Sequence, residues 1–256
     1  MEGQPPRNLT AGVWTGCCGW TSARARYFRE FPAIELQSTF YQPPSAALAE
    51  KWKRQAPDGF RFCMKAWQLI THAASSPTYR RLKTPLPEKS KAAVGGFQPT
   101  EEVWNAWRTT LEVARALQAA VIVFQCPASF RPAEPNLKNL EAFFQKAGAC
   151  GHLLAWEPRG PWPPGVVKDL CSRLGLIHCV DPFVNQPVTT GVRYFRLHGR
   201  GGYNYQYTDA ELRELKTKAL AGGAFETYVL FNNVPMRQDA ARFLALLNEG
   251  TPAAAA

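Results

Sequence analysis

Short apolar runs alternate with longer amphipathic stretches along most of the chain. Eight of the short runs have the apolar and β-branched composition of strands, and several are apolar almost throughout, as in AAVIVF and YVLF. Such runs are typical of parallel strands that are covered on both faces. The predicted strands are Val13–Trp20, Ala33–Phe40, Phe60–Trp67, Ala119–Cys126, His152–Glu157, Leu176–Asp181, Val192–His198 and Thr227–Asn233.

Stretches with helical periodicity separate most of these strands. Thr208, with Glu211 three residues later, predicts a capping box, and Thr100 is a second candidate N-cap. After the first and the sixth strands we expect only a short helix or none. The predicted helices are Ser45–Gln55, Thr100–Leu117, Leu137–Ala147, Val166–Leu174, Thr208–Leu220 and Met236–Leu247.

Eight β/α units of unequal length predict an α/β protein with a single TIM-type (β/α)8 barrel. The predicted domain covers residues 1–256, with flexible tails at about residues 1–11 and 250–256. A doubly wound open sheet is the alternative, because strand counting from one sequence does not separate the two. The chain length of 256 residues is ordinary for a barrel.

One long segment, Gln68–Pro99, interrupts the alternation after the third predicted strand. It has no clear periodicity and carries five basic residues against one acid, Glu88. Long segments of this kind are usually lids, binding loops or disordered inserts. The basic residues are Arg80, Arg81, Lys83, Lys89 and Lys91.

The composition, with 46% hydrophobic and 20% charged residues, is that of a globular protein. No run of eighteen apolar residues is present, and the N-terminus lacks the basic and apolar regions of a signal peptide. We therefore expect a cytoplasmic protein with no membrane contact. The seven cysteines show no metal-binding spacing and are expected to be free thiols.

The net charge of +10 is unevenly distributed along the chain. Residues 1–100 hold 14 basic against 6 acidic residues, whereas the remainder holds 16 against 14. A basic half raises the local concentration of anionic partners, including nucleic acid. A merely basic, solvated surface explains the same numbers.

Every predicted strand after the first ends in polar or ionisable residues, although the strand bodies are apolar. Because the carboxyl ends of barrel strands meet at one mouth, these residues are the candidates for a site. The catalytic candidates are Glu157, His198, Lys65 and Glu35, and the substrate-binding candidates are Arg159, Arg196, Arg200, His72, Tyr41, Gln125, Tyr205, Asn232 and Asn233. For the buried charges the alternative is a structural ion-pair network.

The densest cluster is RLHGRGGYNYQY, residues 196–207. Its arginines, His198 and a glycine turn are suited to a phosphate or carboxylate group. Tyr203, Tyr205 and Tyr207 either stack on a ring or pack over the barrel. Lys65, in FCMKAW, is also a candidate for Schiff-base chemistry.

No nucleotide cofactor is indicated, because GxGxxG and Walker motifs are absent. A divalent metal would draw on Glu35, Glu157, Asp181, His198 or His72, but no two of these have a tight ligand spacing. His152 and His178 lie near the starts of their strands and are set aside.

The ordered motifs ELQSTFYQPPS, FCMKAWQLITH, FQCPASF, WEPRG, RLHGRGGYNYQYTDAEL and YVLFNN resemble the YecE-like family, domain of unknown function 72. The resemblance runs from about Gly16 to Leu247 and implies a β/α barrel of unsettled activity. That barrel is similar to those of metal-dependent phosphodiesterases acting on abasic DNA and of sugar isomerases. The stretch Thr21–Ile34 is shorter here than is usual in the family.

From these features we expect a barrel protein that binds a phosphorylated or anionic substrate at the mouth, with hydrolase or isomerase activity. The alternative is a non-catalytic nucleic-acid-binding protein that uses the basic loop and the mouth arginines. Salt dependence separates the two, because binding to a phosphate backbone weakens steeply as salt is added.

Overall fold

The structure is a computed structural model that describes residues 12–148, 150–222 and 224–249. Its eight strands are parallel wherever their pairing is defined and are hydrogen-bonded in sequence order as a closed barrel, which confirms the predicted fold class. The predicted flexible tails, residues 1–11 and 250–256, lie outside the described residues. The strands are β1 (Val13–Cys18), β2 (Ala33–Leu36), β3 (Arg61–Lys65), β4 (Val121–Gln125), β5 (Leu153–Glu157), β6 (Ile177–Val180), β7 (Val192–Leu197) and β8 (Glu226–Phe231).

Helices follow every strand in the described residues except β6, as expected. They are α1 (Arg24–Glu30), α2 (Ser38–Tyr41), α3 (Ala46–Gln55), α4 (Gln68–Thr71), α5 (Glu101–Leu117), α6 (Glu134–Ala147), α7 (Pro164–Leu174), α8 (Asp209–Leu220) and α9 (Met236–Asn248). The predicted capping box on α8 is present, and the Thr100 hydroxyl accepts a hydrogen bond from the amide of Val103. No helix among these residues is long and apolar enough to cross a membrane.

The second strand was predicted too long. β2 ends at Leu36, and the sequence expected to continue it forms helix α2, so Gln37 is not a strand residue. The hydroxyl of Thr39 donates to the carbonyl oxygens of Leu36 and Lys65, both at 2.8 Å. These contacts fix a tight turn where the local sequence favours extended backbone.

The chain forms two compact units. The first comprises Met1–Glu35, Ala56–Arg61 and Val180–Ala256, and the second comprises Leu36–Gln55 and Phe62–Cys179. In the first unit β1 pairs with β2 and with β8, and β8 pairs with β7. In the second unit β3, β4, β5 and β6 pair in that order.

The core of the second unit is strongly aromatic. Phe124 of β4 packs against Trp107 of α5 and against Phe143 and Phe144 of α6, with ring centroids 5.0–5.8 Å apart. Phe97, at the end of the long segment after β3, joins the same cluster and is 1% exposed. Each such side chain contributes about 1.5–3 kcal/mol through burial alone. The cluster therefore fixes one face of β4 against the helices, and the opposite face carries the polar residue Gln125.

The long segment after β3 has closely clasped ends. The amides of Gly95, Gly96 and Phe97 donate to the carbonyl oxygens of Leu69, Thr71 and Ile70, at 2.7, 3.3 and 2.9 Å. Between these ends lie two 3-10 helices, Pro77–Arg81 and Glu88–Ala93, so the segment predicted to lack periodicity is not wholly irregular. We call residues 72–94, which these contacts close into a loop, the Ω-loop, although the segment is longer than the roughly 6–16 residues usual for that class.

Gly95 is required by the clasp. Its φ is +84°, and a Cβ at this position would lie 2.4 Å from the carbonyl carbon and oxygen of His72. We expect Gly95→Ala to lower the free energy of unfolding by about 2–4 kcal/mol, since it adds a backbone clash to a strained φ. Urea denaturation measures this.

Gly59→Ala is the matched control for Gly95→Ala. Gly59 has a φ of +79°, but nothing lies within 4 Å of its added Cβ. This variant should lose only the conformational part, about 1 kcal/mol. Equal losses in the two variants would show that the close approach of the His72 backbone does not constrain Gly95.

Candidate functional site

Three consecutive strands of the second unit each end in a polar residue. Lys65, Gln125 and Glu157 are the last residues of β3, β4 and β5. Lys65 pairs with Val123, and Gln125 pairs with Glu157, so all three side chains leave the sheet on the same face. The Lys65 ammonium donates to Oε1 of Gln125 at 2.6 Å. The structure thus brings these three predicted site residues into one polar row.

The Lys65 ammonium lies in a compact, nearly dry environment. Lys65 is 5% exposed, and its Nζ lies 3.8 Å from the centroid of the Phe40 ring. An ammonium over an aromatic face is held by the negative face of the ring. Phe40 belongs to the segment that was predicted as strand and forms α2, so its proximity to Lys65 was missed.

His72 packs against the same phenyl ring. Its ring meets that of Phe40 edge-on at 4.9 Å, and its Nδ1 lies 2.8 Å from the Thr71 hydroxyl. Burial, with a smaller contribution from the nearby Lys65 charge, lowers the pKa of His72 to about 4. The imidazole is therefore neutral at neutral pH, suited to hydrogen bonding rather than to holding an anion by charge.

Glu157 has a cationic partner that reaches solvent. Nε and Nη2 of Arg159 both donate to Oε1 of Glu157, at 2.9 and 2.8 Å, and the Cys179 thiol lies 3.9 Å from Oε2. The Glu157 side chain is 6% exposed, whereas that of Arg159 is 35% exposed. A buried carboxylate is thus linked to the surface by a guanidinium.

Tyr41 lies at the edge of this group. Its ring packs edge-on against Phe40 at 5.0 Å, and the Arg81 guanidinium lies 3.5 Å above its ring centroid. Its carbonyl oxygen accepts a hydrogen bond from Nε2 of Gln68 at 3.1 Å. Tyr41 therefore connects α2 with the basic Ω-loop.

In the first unit, Glu35 and Arg196 form a buried ion pair. Nε and Nη2 of Arg196 donate to Oε2 and Oε1 of Glu35, each at 3.0 Å, and the Tyr194 hydroxyl donates to Oε2 at 2.8 Å. Both charged side chains are at most 1% exposed. The two residues were predicted either as site residues or as members of a structural ion-pair network, and these contacts are of the second kind.

His198 and Asn232 form a second polar group in this unit. Nδ2 of Asn232 lies 3.1 Å from Nδ1 of His198, and the exposed Tyr203 ring meets the imidazole edge-on at 5.9 Å. The backbone amide of His198 donates to Oδ2 of Asp181 at 3.0 Å. These contacts fix both the backbone and the ring of His198.

The glycine turn after β7 has hydrogen-bond partners within the protein. Gly199 has a φ of +86°, and its amide donates to the Tyr207 hydroxyl at 2.8 Å. Arg200 and the Tyr205 hydroxyl both donate to Oε1 of Glu211, at 3.2 and 2.7 Å. The predicted anion cradle thus has internal partners, and Tyr207 packs on Phe183 rather than awaiting a ligand.

Asn233 serves the core of the first unit. Its amide nitrogen donates to the Tyr205 carbonyl and to Oδ2 of Asp239, at 2.8 and 2.6 Å, and Asp239 is fully buried. Burial raises the pKa of Asp239 despite hydrogen bonds from Asn233 and the Tyr207 amide and the charge of Arg242. Asp239 was missed because one acid in the first turn of a helix is unremarkable in sequence.

The five candidate metal ligands do not come together as a metal centre. Among residues 12–148, 150–222 and 224–249, no group of three or more His, Cys, Asp or Glu side chains could hold a metal ion. The described cysteines are all free, as expected.

The buried histidines predict a loss of stability in mild acid. Burial lowers the pKa values of both His72 and His178 to about 4, and Glu157 partly opposes this at His178. Both imidazoles take up protons near pH 6.5 only in the unfolded chain. Their contribution to the free energy of unfolding is therefore complete above pH 6.5 and is lost as the pH falls towards 4. In this pH range each histidine adds up to about 1.4 kcal/mol per pH unit to the slope of the unfolding free energy against pH.

Urea unfolding of the protein and of His72→Gln between pH 7 and 5 tests this. The slope of unfolding free energy against pH should fall by about half in the variant, because one of the two histidines remains. An unchanged slope would show that His72 takes up its proton equally in the folded and unfolded chains.

The Glu35–Arg196 pair predicts a non-additive mutant cycle. Arg196→Met should cost about 3–5 kcal/mol, because it leaves the Glu35 carboxylate buried with only part of its compensation. The double variant Glu35→Gln, Arg196→Met should lose less than the sum of the two single losses. Chemical denaturation of the four proteins measures the coupling, and additive losses would contradict it.

Comparison with known proteins agrees with the fold. UPF0759 protein YunF of Bacillus subtilis (strain 168) is 26% identical over an alignment of 239 positions, which covers 81% of this chain and 79% of YunF. A DUF72 family protein of Thermotoga maritima MSB8 is 22% identical, with a TM-score of 0.69 over 93% of this chain and all of that one.

Two more distant structures share the barrel. A xylose isomerase domain containing protein of Salmonella typhimurium LT2 has a TM-score of 0.59, 11% identity and coverage of 92% of this chain and 97% of its own. Endonuclease IV of Thermus thermophilus has a TM-score of 0.53, 12% identity and coverage of 93% and 99%. These likenesses show the fold alone.

The family comparison covers almost the whole chain and agrees with the resemblance seen in the ordered motifs. A family model described as "Protein of unknown function DUF72" matches residues 14–254. The chain belongs to the DUF72 family.

Proposed function

We propose that this protein is an enzyme that binds a phosphorylated or otherwise anionic substrate at the strand ends of the second unit and transfers a proton on it. The observation that carries the proposal is the row of Lys65, Gln125 and Glu157, which ends three consecutive strands on one face. Carboxyl ends of barrel strands are where sites form in this fold. A buried ammonium and a buried carboxylate in one row are costly, and such cost is typical of functional groups.

Arg159 is the group that first meets the anion. Its side chain is 35% exposed, while its guanidinium holds Oε1 of Glu157. A substrate phosphate or carboxylate competes for this guanidinium, because the two nitrogens that now donate to one oxygen of Glu157 can donate to an anionic oxygen of the substrate instead. Drawing Arg159 towards the substrate weakens its hold on Glu157, which then becomes a stronger base.

Lys65 attracts the substrate anion and also stabilises the further negative charge that proton removal creates. Its position is fixed by Oε1 of Gln125 and by the Phe40 ring, so it needs little rearrangement during reaction. A fixed cation in a nearly dry site is worth more than one in water. A carboxylate base with such a cation suits removal of a proton next to a carbonyl group, the chemistry of an isomerase. Hydrolysis is the second reaction class.

The test combines binding with proton exchange. Inorganic phosphate and a panel of aldose and ketose phosphates are titrated by calorimetry, and exchange of substrate C–H for solvent deuterium is followed by NMR. Lys65→Met should weaken binding about 10- to 100-fold, as expected for loss of a charge-assisted contact. Glu157→Gln should slow exchange about 100- to 10,000-fold while binding is kept.

Two controls protect this test. Lys168→Met removes an exposed lysine of α7 and should leave both binding and exchange unchanged. Lys65→Arg keeps the charge and should retain part of the binding if Lys65→Met misfolds. Binding that persists in folded Lys65→Met, or the absence of binding to any phosphate at millimolar concentration, would overturn the proposal.

A further inference from the structure

We propose that the exposed face of the Ω-loop binds the phosphate backbone of nucleic acid without reading its sequence. This surface, the basic ribbon, consists of the two 3-10 helices Pro77–Arg81 and Glu88–Ala93 and the residues between them. It is separate from the Lys65–Glu157 row, and the inference does not depend on the proposed enzymatic function.

The basic ribbon lies at the surface of the protein along its whole length. No residue of either 3-10 helix is buried. Arg80, Arg81, Lys83, Lys89 and Lys91 are all exposed, and Glu88 is the single acid between Gln68 and Pro99. Glu88 pairs with Lys91 at 2.6 Å, so four positive charges remain without an acidic neighbour in this segment.

Three of these cations have no partner in the described part of the chain. Arg80, Lys83 and Lys89 form no side-chain hydrogen bond or ion pair there, whereas most of the mouth arginines described above are paired. Repulsion among unpaired like charges is unfavourable in the free protein, and an anionic polymer relieves it while releasing its own counterions. The charges thus complement a phosphate backbone.

The ribbon is held on a fixed frame rather than swinging freely. The clasp of Gly95–Phe97 onto Leu69–Thr71 fixes both ends of the loop. Within it, the Tyr79 hydroxyl donates to the His72 carbonyl at 2.8 Å, and the Lys83 amide donates to Oε1 of Gln42 at 3.4 Å. Binding to a fixed surface costs less ordering entropy than binding to a disordered basic tail.

The chemistry indicates backbone contacts rather than base reading. The hydroxyl of Tyr79, the aromatic residue of the ribbon itself, donates to the His72 carbonyl at 2.8 Å, and the neighbouring Tyr41 ring is covered by the Arg81 guanidinium at 3.5 Å. Lysine and arginine contacts to phosphate position a nucleic acid but carry no sequence information. The expected partner is therefore any duplex or single strand of sufficient length.

Fluorescence anisotropy with a duplex and a single-stranded oligonucleotide of mixed sequence tests the proposal between 50 and 200 mM NaCl. With three phosphate contacts, affinity should fall about 40-fold for the duplex and about 20-fold for the single strand across this range. The triple variant Arg80→Gln, Lys83→Gln, Lys89→Gln should bind at least 10-fold more weakly at 50 mM and lose most of this salt dependence.

The matched control is the triple variant Lys51→Gln, Lys168→Gln, Arg213→Gln, which removes the same charge from exposed positions on α3, α7 and α8. It should bind as the unmodified protein does, within about two-fold. If both triple variants lost oligonucleotide affinity equally, the loss would be due to net charge alone, and the assignment of binding to the ribbon would be overturned. No binding to oligonucleotides at 50 mM, or binding to anionic lipid vesicles instead, would overturn the choice of partner.

Discussion

Charge that has been removed from water must be compensated, and this constraint orders the polar residues of both units. Glu35 and Arg196 meet it through a two-point guanidinium–carboxylate contact with an additional hydroxyl donor, Tyr194. Transfer of either charge alone from water to a low-dielectric interior would cost several kcal/mol. Their pairing therefore fixes where β2 and β7 can place their ends within the first unit.

The same constraint is met differently in the second unit. The Lys65 ammonium contacts an amide oxygen and an aromatic face, and the Glu157 carboxylate contacts a guanidinium that is one-third exposed. A partly exposed arginine exchanges partners more readily than a buried one does. The contact of Glu157 with Arg159 is therefore suited to a reaction in which partners change, whereas the buried contact of Glu35 with Arg196 is suited to a fixed structural role.

Much of the barrel could be read from the sequence because its determinants are local. Apolar runs such as AAVIVF indicate strands directly, and the spacing of Thr208 and Glu211 indicates a capping box. The change from apolar to polar residues located the strand ends to within two residues, except for β2, which ends four residues earlier than predicted. Contacts between distant residues could not be read in this way. The turn at Ser38–Tyr41 depends on a hydrogen bond from Thr39 to the Lys65 carbonyl, and Glu35 finds its partner 161 residues away.

The candidate site divides along the same line. Lys65, Gln125 and Glu157 were identified because each ends its own strand, but the role of Phe40 depended on recognising α2. Arg196 and Glu35 were each chosen correctly as buried charges, and no local pattern reveals that they bind each other. Asp239 pairs with Asn233 across the β8–α9 turn and carries no sequence pattern that separates it from a solvated helix acid.

Because of the clasp at the base of the Ω-loop, the length of the loop has little effect on the folding of the barrel. Three backbone hydrogen bonds hold Leu69–Thr71 to Gly95–Phe97 whatever lies between them. Doubling the number of residues in such a closed loop costs only about 0.6 kcal/mol in chain entropy. Insertions between Thr84 and Pro87, which lie outside the contacts made by Tyr79, Arg81 and Lys83, should thus cost little folding free energy, and this short stretch can carry new surface chemistry without rebuilding the protein.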